Sequence, residues 1–267
     1  MKKVLITGGP TNEYIDEVMK ITNMSSGKVA IELAKHFVED GYETTLLLTK
    51  NIKNPILDSL ESKENFMLAR FETTEELLNN ITSLSTMVQF DIIVHSSAVG
   101  DYKPEFSFRM EDMAKEIAES IVNNLTYLSP QEISVDSLTS DVFEIMTNPN
   151  CKVNDNTKIS SVEPNLTVKL GLTPKIIASL RNLFPAAYIC GFKLLENVPE
   201  EELVEAAMKQ LNKCKTDLVF ANDLAELRKG NASRLVISHK GYNGVKVDGA
   251  GGIFNLIKIV TGGFGND

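Results

Sequence analysis

The chain has 267 residues, 43% hydrophobic and 24% charged, which supports one large core or a core with a smaller lobe and excludes disorder throughout. Its formal charge of -9 argues against a general nucleic-acid binder, because neutralising phosphates needs a basic face, and leaves room only for local basic pockets. Three widely spaced cysteines, Cys151, Cys190 and Cys214, lack the paired spacing of a zinc or redox site and read as ordinary reduced thiols.

The opening Met1-Lys2-Lys3-Val4-Leu5-Ile6-Thr7 is too short an apolar run for a signal segment, and no stretch approaches the ~20 apolar residues of a membrane span. A cytoplasmic protein with no membrane partner is expected. Sequons such as Asn124-Leu125-Thr126 carry no weight there.

A strand is predicted at 4–7, followed by Thr7-Gly8-Gly9-Pro10-Thr11. Such a glycine turn is either an ordinary tight turn or a close-approach loop at which Gly9 meets a ligand. The helix expected of a dinucleotide fingerprint does not begin until about Gly27, so the NAD pattern is absent. Residues 12–24 form an excursion ending in Asn23-Met24-Ser25-Ser26-Gly27-Lys28. The free N–H groups of the helix that follows, at 29–39, favour an anion. The plainer expectation is that Ser25 or Ser26 caps that helix.

Next come a strand at 44–49, a helix at 73–84 and a strand at 92–95, which leads into His95-Ser96-Ser97-Ala98-Val99-Gly100-Asp101-Tyr102. Asp101 could hold Mg²⁺ through a triphosphate, or could be a turn aspartate; His95 reads as a satisfied core residue. Residues 105–157 break the rhythm with one amphipathic segment near 110–122 and a polar passage, an inserted flap. Lys158, in Lys158-Ile159-Ser160-Ser161, is a surface lysine or a cation delivered to a phosphate.

A helix at 174–183, a strand at 187–192, a helix at 200–213 and a strand at 218–221 complete the pattern. Phe192 and Asn222 stand at strand ends, where a base could be covered and its edge bonded; the alternatives are a core aromatic and a turn residue. Alternating strands and helices predict an α/β fold, a mainly parallel Rossmann-like sheet with helices on both faces and ligands at the strand carboxyl ends. One domain over 1–267 is expected, with the flap at about 105–157 and a disordered tail at 262–267.

In this order the glycine loop, Asn23-Met24-Ser25-Ser26-Gly27, Ala98-Val99-Gly100-Asp101-Tyr102, Lys158-Ile159, Gly191-Phe192 and Ala221-Asn222-Asp223 resemble the phosphopantothenate-cysteine ligase family. The likeness runs from Lys2 to about Ile237. It is strongest to stand-alone ligases of some Gram-positive bacteria, with no decarboxylase domain ahead. Two residues depart from the family loop, Gly8 for a small alanine or serine and Pro10 for its second glycine.

The resemblance implies that Asn23 closes on the pantothenoyl group, that Ser25, Ser26 and Gly27 hold its phosphate and that Ala98 lies beside it. It gives Asp101 the metal-linked nucleotide role, Lys158 the catalytic one, and Phe192, Asn222, Lys209 and Lys213 the nucleotide pocket. It also implies Mg²⁺, CTP in preference to ATP, and a homodimer built through the flap. The rival readings are an NAD(P)-dependent short-chain-type oxidoreductase, for which Tyr242-Asn243-Gly244-Val245-Lys246 supplies a Y-x-x-x-K match, and a non-catalytic regulatory subunit.

Overall fold

The computed structural model describes residues 1–127, 134–153, 158–160, 162, 164–239, 241 and 243–262. They divide into two compact units, one of residues 1–12, 22–100 and 174–267, the other of residues 13–21 and 101–173.

The first unit is built on an eight-stranded sheet. Its strands are β1 (Lys3–Gly8), β4 (Glu43–Thr49), β5 (Phe66–Phe71), β6 (Ile92–His95), β10 (Tyr188–Leu195), β11 (Leu218–Asp223), β12 (Ser233–Ser238) and β13 (Lys246–Asp248). They lie in the order β13-β12-β11-β10-β6-β1-β4-β5. The six from β5 to β11 are parallel, while β12 and β13 are antiparallel to their neighbours. Buried parallel strands read as continuous apolar runs, which is why β1, β4 and β6 are visible in the sequence.

Its helices are α1 (Lys28–Glu39), α2 (Pro55–Leu60), α3 (Thr74–Met87), α6 (Ile176–Leu183), α7 (Glu200–Cys214), α8 (Leu224–Arg228) and α9 (Gly249–Val260). On one face Ile31, Ala34 and Phe37 of α1 pack with Ile253 and Ile257 of α9 over Val4, Ile6 and Phe220. On the other, Leu77 and Ile81 of α3 meet Leu180 of α6 over Leu5 and Ile93, and Leu203, Ala207 and Leu211 of α7 cover Val219 and Ala221. Alternate residues of each strand thus serve opposite faces. Cys190 and Cys214 are buried in this unit, and all three cysteines are free.

The second unit holds the hairpin β2 (Asn12–Tyr14) and β3 (Lys20–Thr22), which straddles its boundary. It also has β7 (Tyr102–Arg109), β8 (Lys152–Val153) and β9 (Leu166–Leu172), an antiparallel sheet of order β8-β7-β9, and the helices α4 (Met110–Tyr127) and α5 (Val135–Thr147). The insertion read at 105–157 therefore corresponds to a folded unit that also takes in 101–104, 158–173 and 13–21. Residues 128–133 and 154–157 of that insertion, and 263–267 of the tail, lie outside the described residues. Gly262 is held, its carbonyl accepting from Lys2 Nζ at 2.5 Å.

Candidate functional site

Strand order reverses between β1 and β6: β4 and β5 continue to one side of β1, and β6, β10 and β11 to the other. A crevice opens at such a switch point, outside the strand carboxyl ends. The loops leaving β1 and β6 are the glycine turn and residues 96–100, two of the segments singled out from sequence.

The turn after β1 is shaped by missing side chains. A Cβ on Gly8 would sit 2.2 Å from the Ala30 Cβ, so only glycine lets β1 pass this close to α1. Gly9 has φ 82° and Gly27 φ 68°, left-handed backbone that other residues adopt at a cost. A Cβ on Gly27 would also lie 3.4 Å from the Gly9 nitrogen, so the two glycines lie against each other where α1 begins.

Pro10 fits this path because its missing N–H is not required. Its carbonyl accepts from Thr49 Oγ1 at 2.5 Å, and it bridges to Ala98. Ala98 N–H donates to the Gly9 carbonyl at 2.9 Å, and Gly100 N–H to Thr11 Oγ1 at 2.9 Å. Asn23 Nδ2 donates to the carbonyls of Ala98 (3.2 Å) and Val99 (3.1 Å). Two carbonyl partners require the amide NH₂ between them, so the Asn23 carbonyl oxygen is turned away from that loop. Gly9, Asn23, Gly27 and Ala98, far apart in sequence, are thus brought together.

α1 corrects one expectation. Its N-cap is Gly27, with no side-chain cap, and its first turn carries no acid. Ser25 and Ser26 reach the N–H groups of Gly27 and Lys28 only at 3.5 and 3.4 Å, longer than a sound capping bond. Left-handed Gly27 turns the chain too sharply for either serine to take the capping position, so the start of α1 offers N–H groups and the positive end of its dipole.

At the base of these loops, His95 is 6% exposed and its Nδ1 lies 2.8 Å from Thr7 Oγ1. Burial lowers its pKa from 6.5 to about 4, so it is a neutral structural group, as expected. Ser96 Oγ donates to the Thr7 carbonyl at 2.7 Å.

Phe192 lies in the carboxyl half of β10 and Asn222 next to the last residue of β11, with the Phe192 and Phe220 rings 5.3 Å apart. Asp223 N-caps α8 through Ala225 N–H at 2.7 Å and accepts Val198 N–H at 3.0 Å. These bonds, that from Val198 first, hold its carboxyl below the usual range. Arg234, beside them on β12, was not singled out from sequence: a lone arginine in a β-branched run carries no motif. Lys209 and Lys213 do not join this group. They are exposed in the C-terminal half of α7, and a helix between two parallel strands runs back toward their amino ends.

A cavity of about 440 Å³ opens at those amino ends, lined by residues that include Lys2, Asp91, Arg181 and Asp217. Its arginine is tied to Asp217 at 2.6 Å and to the Ala187 carbonyl at 2.8 Å, so it serves the fold.

In the second unit Asp101 is exposed, its backbone carbonyl accepting Thr173 N–H at 3.1 Å. Lys158 is exposed next to buried Ile159, whose N–H donates to Asp16 Oδ2 at 3.0 Å. Asp16 also accepts from Val18 (2.7 Å) and Met19 (2.6 Å). The backbone bonds, that from Met19 foremost, lower its pKa. Among the described residues no three His, Cys, Asp or Glu side chains gather to hold a metal ion. Ser161 and Tyr242 lie outside the described residues, and Lys246 opens strand β13, paired with Glu200 at 2.7 Å.

Residues 1–129 match the model of the DNA/pantothenate metabolism flavoprotein C-terminal domain. The flavoprotein-domain match takes in Gly9, Asn23, Gly27, Ala98 and Asp101. The chain is 32% identical over 224 residues to the coenzyme A biosynthesis bifunctional protein CoaBC of Thermococcus kodakarensis, and 29% identical to that of Methanocaldococcus jannaschii. Each alignment covers 84% of this chain and 41% of the relative, so the chain spans less than half of those proteins. A DNA/pantothenate metabolism flavoprotein from Streptococcus pneumoniae superposes with a TM-score of 0.73 at 27% identity, over 97% of this chain and 98% of that one. A Cab2 variant in complex with phosphopantothenate-cysteine shares the fold, with a TM-score of 0.62 at 18% identity.

Proposed function

We propose that this chain is a cytoplasmic phosphopantothenate-cysteine ligase acting in coenzyme A biosynthesis. The observation that carries the reading is the cluster of backbone groups outside the carboxyl ends of β1 and β6, where their two loops are bridged. There the uncapped start of α1, the Gly9–Gly27 contact and the Asn23–Ala98 bond form a backbone cradle suited to a phosphorylated substrate. It lies within the 129 residues of the family match.

In the reaction, the carboxylate of phosphopantothenate attacks the α-phosphorus of a nucleoside triphosphate and expels pyrophosphate. The amine of cysteine then attacks the activated acyl carbon and releases the monophosphate. Ser25, Ser26, Gly27 and the α1 N–H groups hold the substrate phosphate, with Gly9 and Ala98 against the chain that follows. Asn23, anchored on the 98–99 carbonyls, orients the pantothenoyl group and shields the acyl-nucleotidylate from water. Lys158 offsets charge at the α-phosphate, and Phe192 and Asn222 take the base of CTP, preferred here to ATP.

Mg²⁺ prefers one or two carboxylates plus phosphate oxygens. The lack of a three-ligand cluster among the described residues and the exposed Asp101 suit an ion carried in by the nucleotide, where it would neutralise phosphate charge. Val135, Phe143 and Met146 leave α5 with an apolar exposed surface, and none of its described residues is buried; this supports a homodimer formed through the arm. The oxidoreductase reading has less support, since Lys246 stands on a strand rather than on a helix. Pro10, the one support for a non-catalytic subunit, is accommodated within an intact loop.

The test is pyrophosphate release from purified protein with Mg²⁺, 4'-phosphopantothenate and cysteine, CTP and ATP compared in parallel. Release that depends on phosphopantothenate supports the ligase; silence with both nucleotides removes it.

A further inference from the structure

Arg234 carries an unusual arrangement for a surface-rich residue type. It is 7% exposed, and among the described residues its Nε–H has no acceptor and the guanidinium forms no ion pair, Glu32 of α1 acting on it only through its field. Its Nη1 donates to the Ala232 carbonyl at 3.0 Å, and its guanidinium carbon stands 5.9 Å from the Phe192 ring centre. A buried guanidinium left short of acceptors costs stability, and such a group is retained where a ligand completes it.

Its neighbour sharpens the case. The β11–β12 register runs Phe220 to Val236 and Ala221 to Leu235, so one step further Asn222 faces Arg234. Alternation puts both on the side of the sheet that holds Phe220 and Val236. Asn222 is 8% exposed, so the carboxyl end of β11 buries two adjacent polar side chains. Together they offer one acceptor, the Asn222 amide oxygen, beside a row of donors.

Cytosine presents an amino donor, a ring-nitrogen acceptor and a keto acceptor along one edge. Adenine presents an amino donor and a ring-nitrogen acceptor, then a C–H where cytosine has its keto oxygen. Uracil turns an N–H toward the donors. We infer that Arg234 is a specificity-determining residue which, beside Asn222, donates to the keto edge of a cytosine base. The inference rests on the ligase reading and deepens it by naming the group that selects the nucleotide. With adenine the guanidinium keeps an unmatched donor, and a site built to bond a polar group rejects the analogue that lacks it.

The experiment is calorimetric titration of the full chain with CTP, ATP and UTP, without phosphopantothenate, comparing the unaltered protein with Arg234→Lys and Arg234→Met. The unaltered protein is expected to bind CTP roughly 10- to 100-fold more tightly than ATP, and both variants to bring that ratio close to one by losing CTP affinity while ATP affinity stays. A ratio unchanged in the variants, or a preference for ATP in the unaltered protein, overturns the role of Arg234 and leaves the ligase standing. No binding of any nucleotide removes the ligase reading as well. Arg234→Lys keeps the charge and the stem, so it carries the test if Arg234→Met does not fold; if neither folds, the guanidinium is a structural group and the inference falls.

Discussion

Asp16 accepts the backbone N–H of Ile159 at 3.0 Å, across 143 residues of sequence, and Ile159 is the neighbour of Lys158. One carboxylate therefore fixes both its own turn at 18–19 and the backbone from which the lysine projects. Asp16→Ala should release that backbone. The Ile159 amide is expected to exchange faster with deuterium, and amide formation to fall by about tenfold or more, since small misplacements of a reacting group are costly. Unchanged exchange at Ile159 would show that the clamp is not what holds the segment.

Lys158 itself is exposed and packs little, so Lys158→Gln should leave the melting temperature almost unmoved. Amide formation should drop by roughly a hundredfold or more, with little change in the KM for cysteine. A variant with normal turnover takes the lysine out of the mechanism.

Asn23→Ala removes the two bonds to the 98–99 carbonyls. In the proposed reaction the acyl-nucleotidylate would then lose its cover and its orientation, so amide formation is expected to fall further than pyrophosphate release. Measuring both products in one reaction gives their ratio, and a ratio of one in the variant contradicts the shielding role.

His95 predicts a dependence of stability on pH. Its pKa is 6.5 in the unfolded chain and about 4 in the fold, lowered by burial. Above 6.5 neither state is protonated and the contribution is neutral. As pH falls from 6.5 to 4 the unfolded chain takes up a proton that the fold does not, so stability declines by on the order of 3 kcal/mol. Urea unfolding at pH 7 and pH 5 should show the loss, and His95→Gln should flatten it; an equal slope in the variant assigns the effect to other groups.

Phe143 is 67% exposed on α5. Phe143→Asp is expected to convert a dimer into monomers in light scattering, since burying an unpaired carboxylate in an apolar interface is costly. A parent protein that is already monomeric and fully active ends that proposal.

Five of the six parallel strands were legible because burial on both faces writes apolar runs such as Val4-Leu5-Ile6, and α1, α3, α6 and α7 because one stripe must stay apolar; the edge strand β5, only partly buried, was not read. β12 and β13 were harder to see. Both are antiparallel to their neighbours, β13 has only three residues, and Arg234 interrupts the apolar pattern of β12. Gly9, Asn23, Gly27 and Ala98 were found as separate motifs, yet their contacts depend on φ values and on an approach between β1 and α1 that no local pattern records. Asp16 was missed for a related reason. Its partner lies 143 residues away, and an aspartate followed by Glu17-Val18-Met19 looks like an ordinary turn. Lys209 and Lys213 show the converse: likeness in sequence named them, while the direction of α7 takes them away from the strand carboxyl ends.

The cysteines of the chain bear on a hazard of the proposed chemistry. An enzyme that handles cysteine meets a reactive thiol and, whenever that thiol oxidises, a disulfide open to attack. Exchange proceeds through a thiolate. Burial raises the pKa of Cys190 and Cys214, and burial with the nearby Glu116 raises that of Cys151. Each sulfur is thus shifted toward the thiol form and away from the attacking thiolate, so in the proposed reaction the chain's own cysteines would be poor partners for exchange with the substrate.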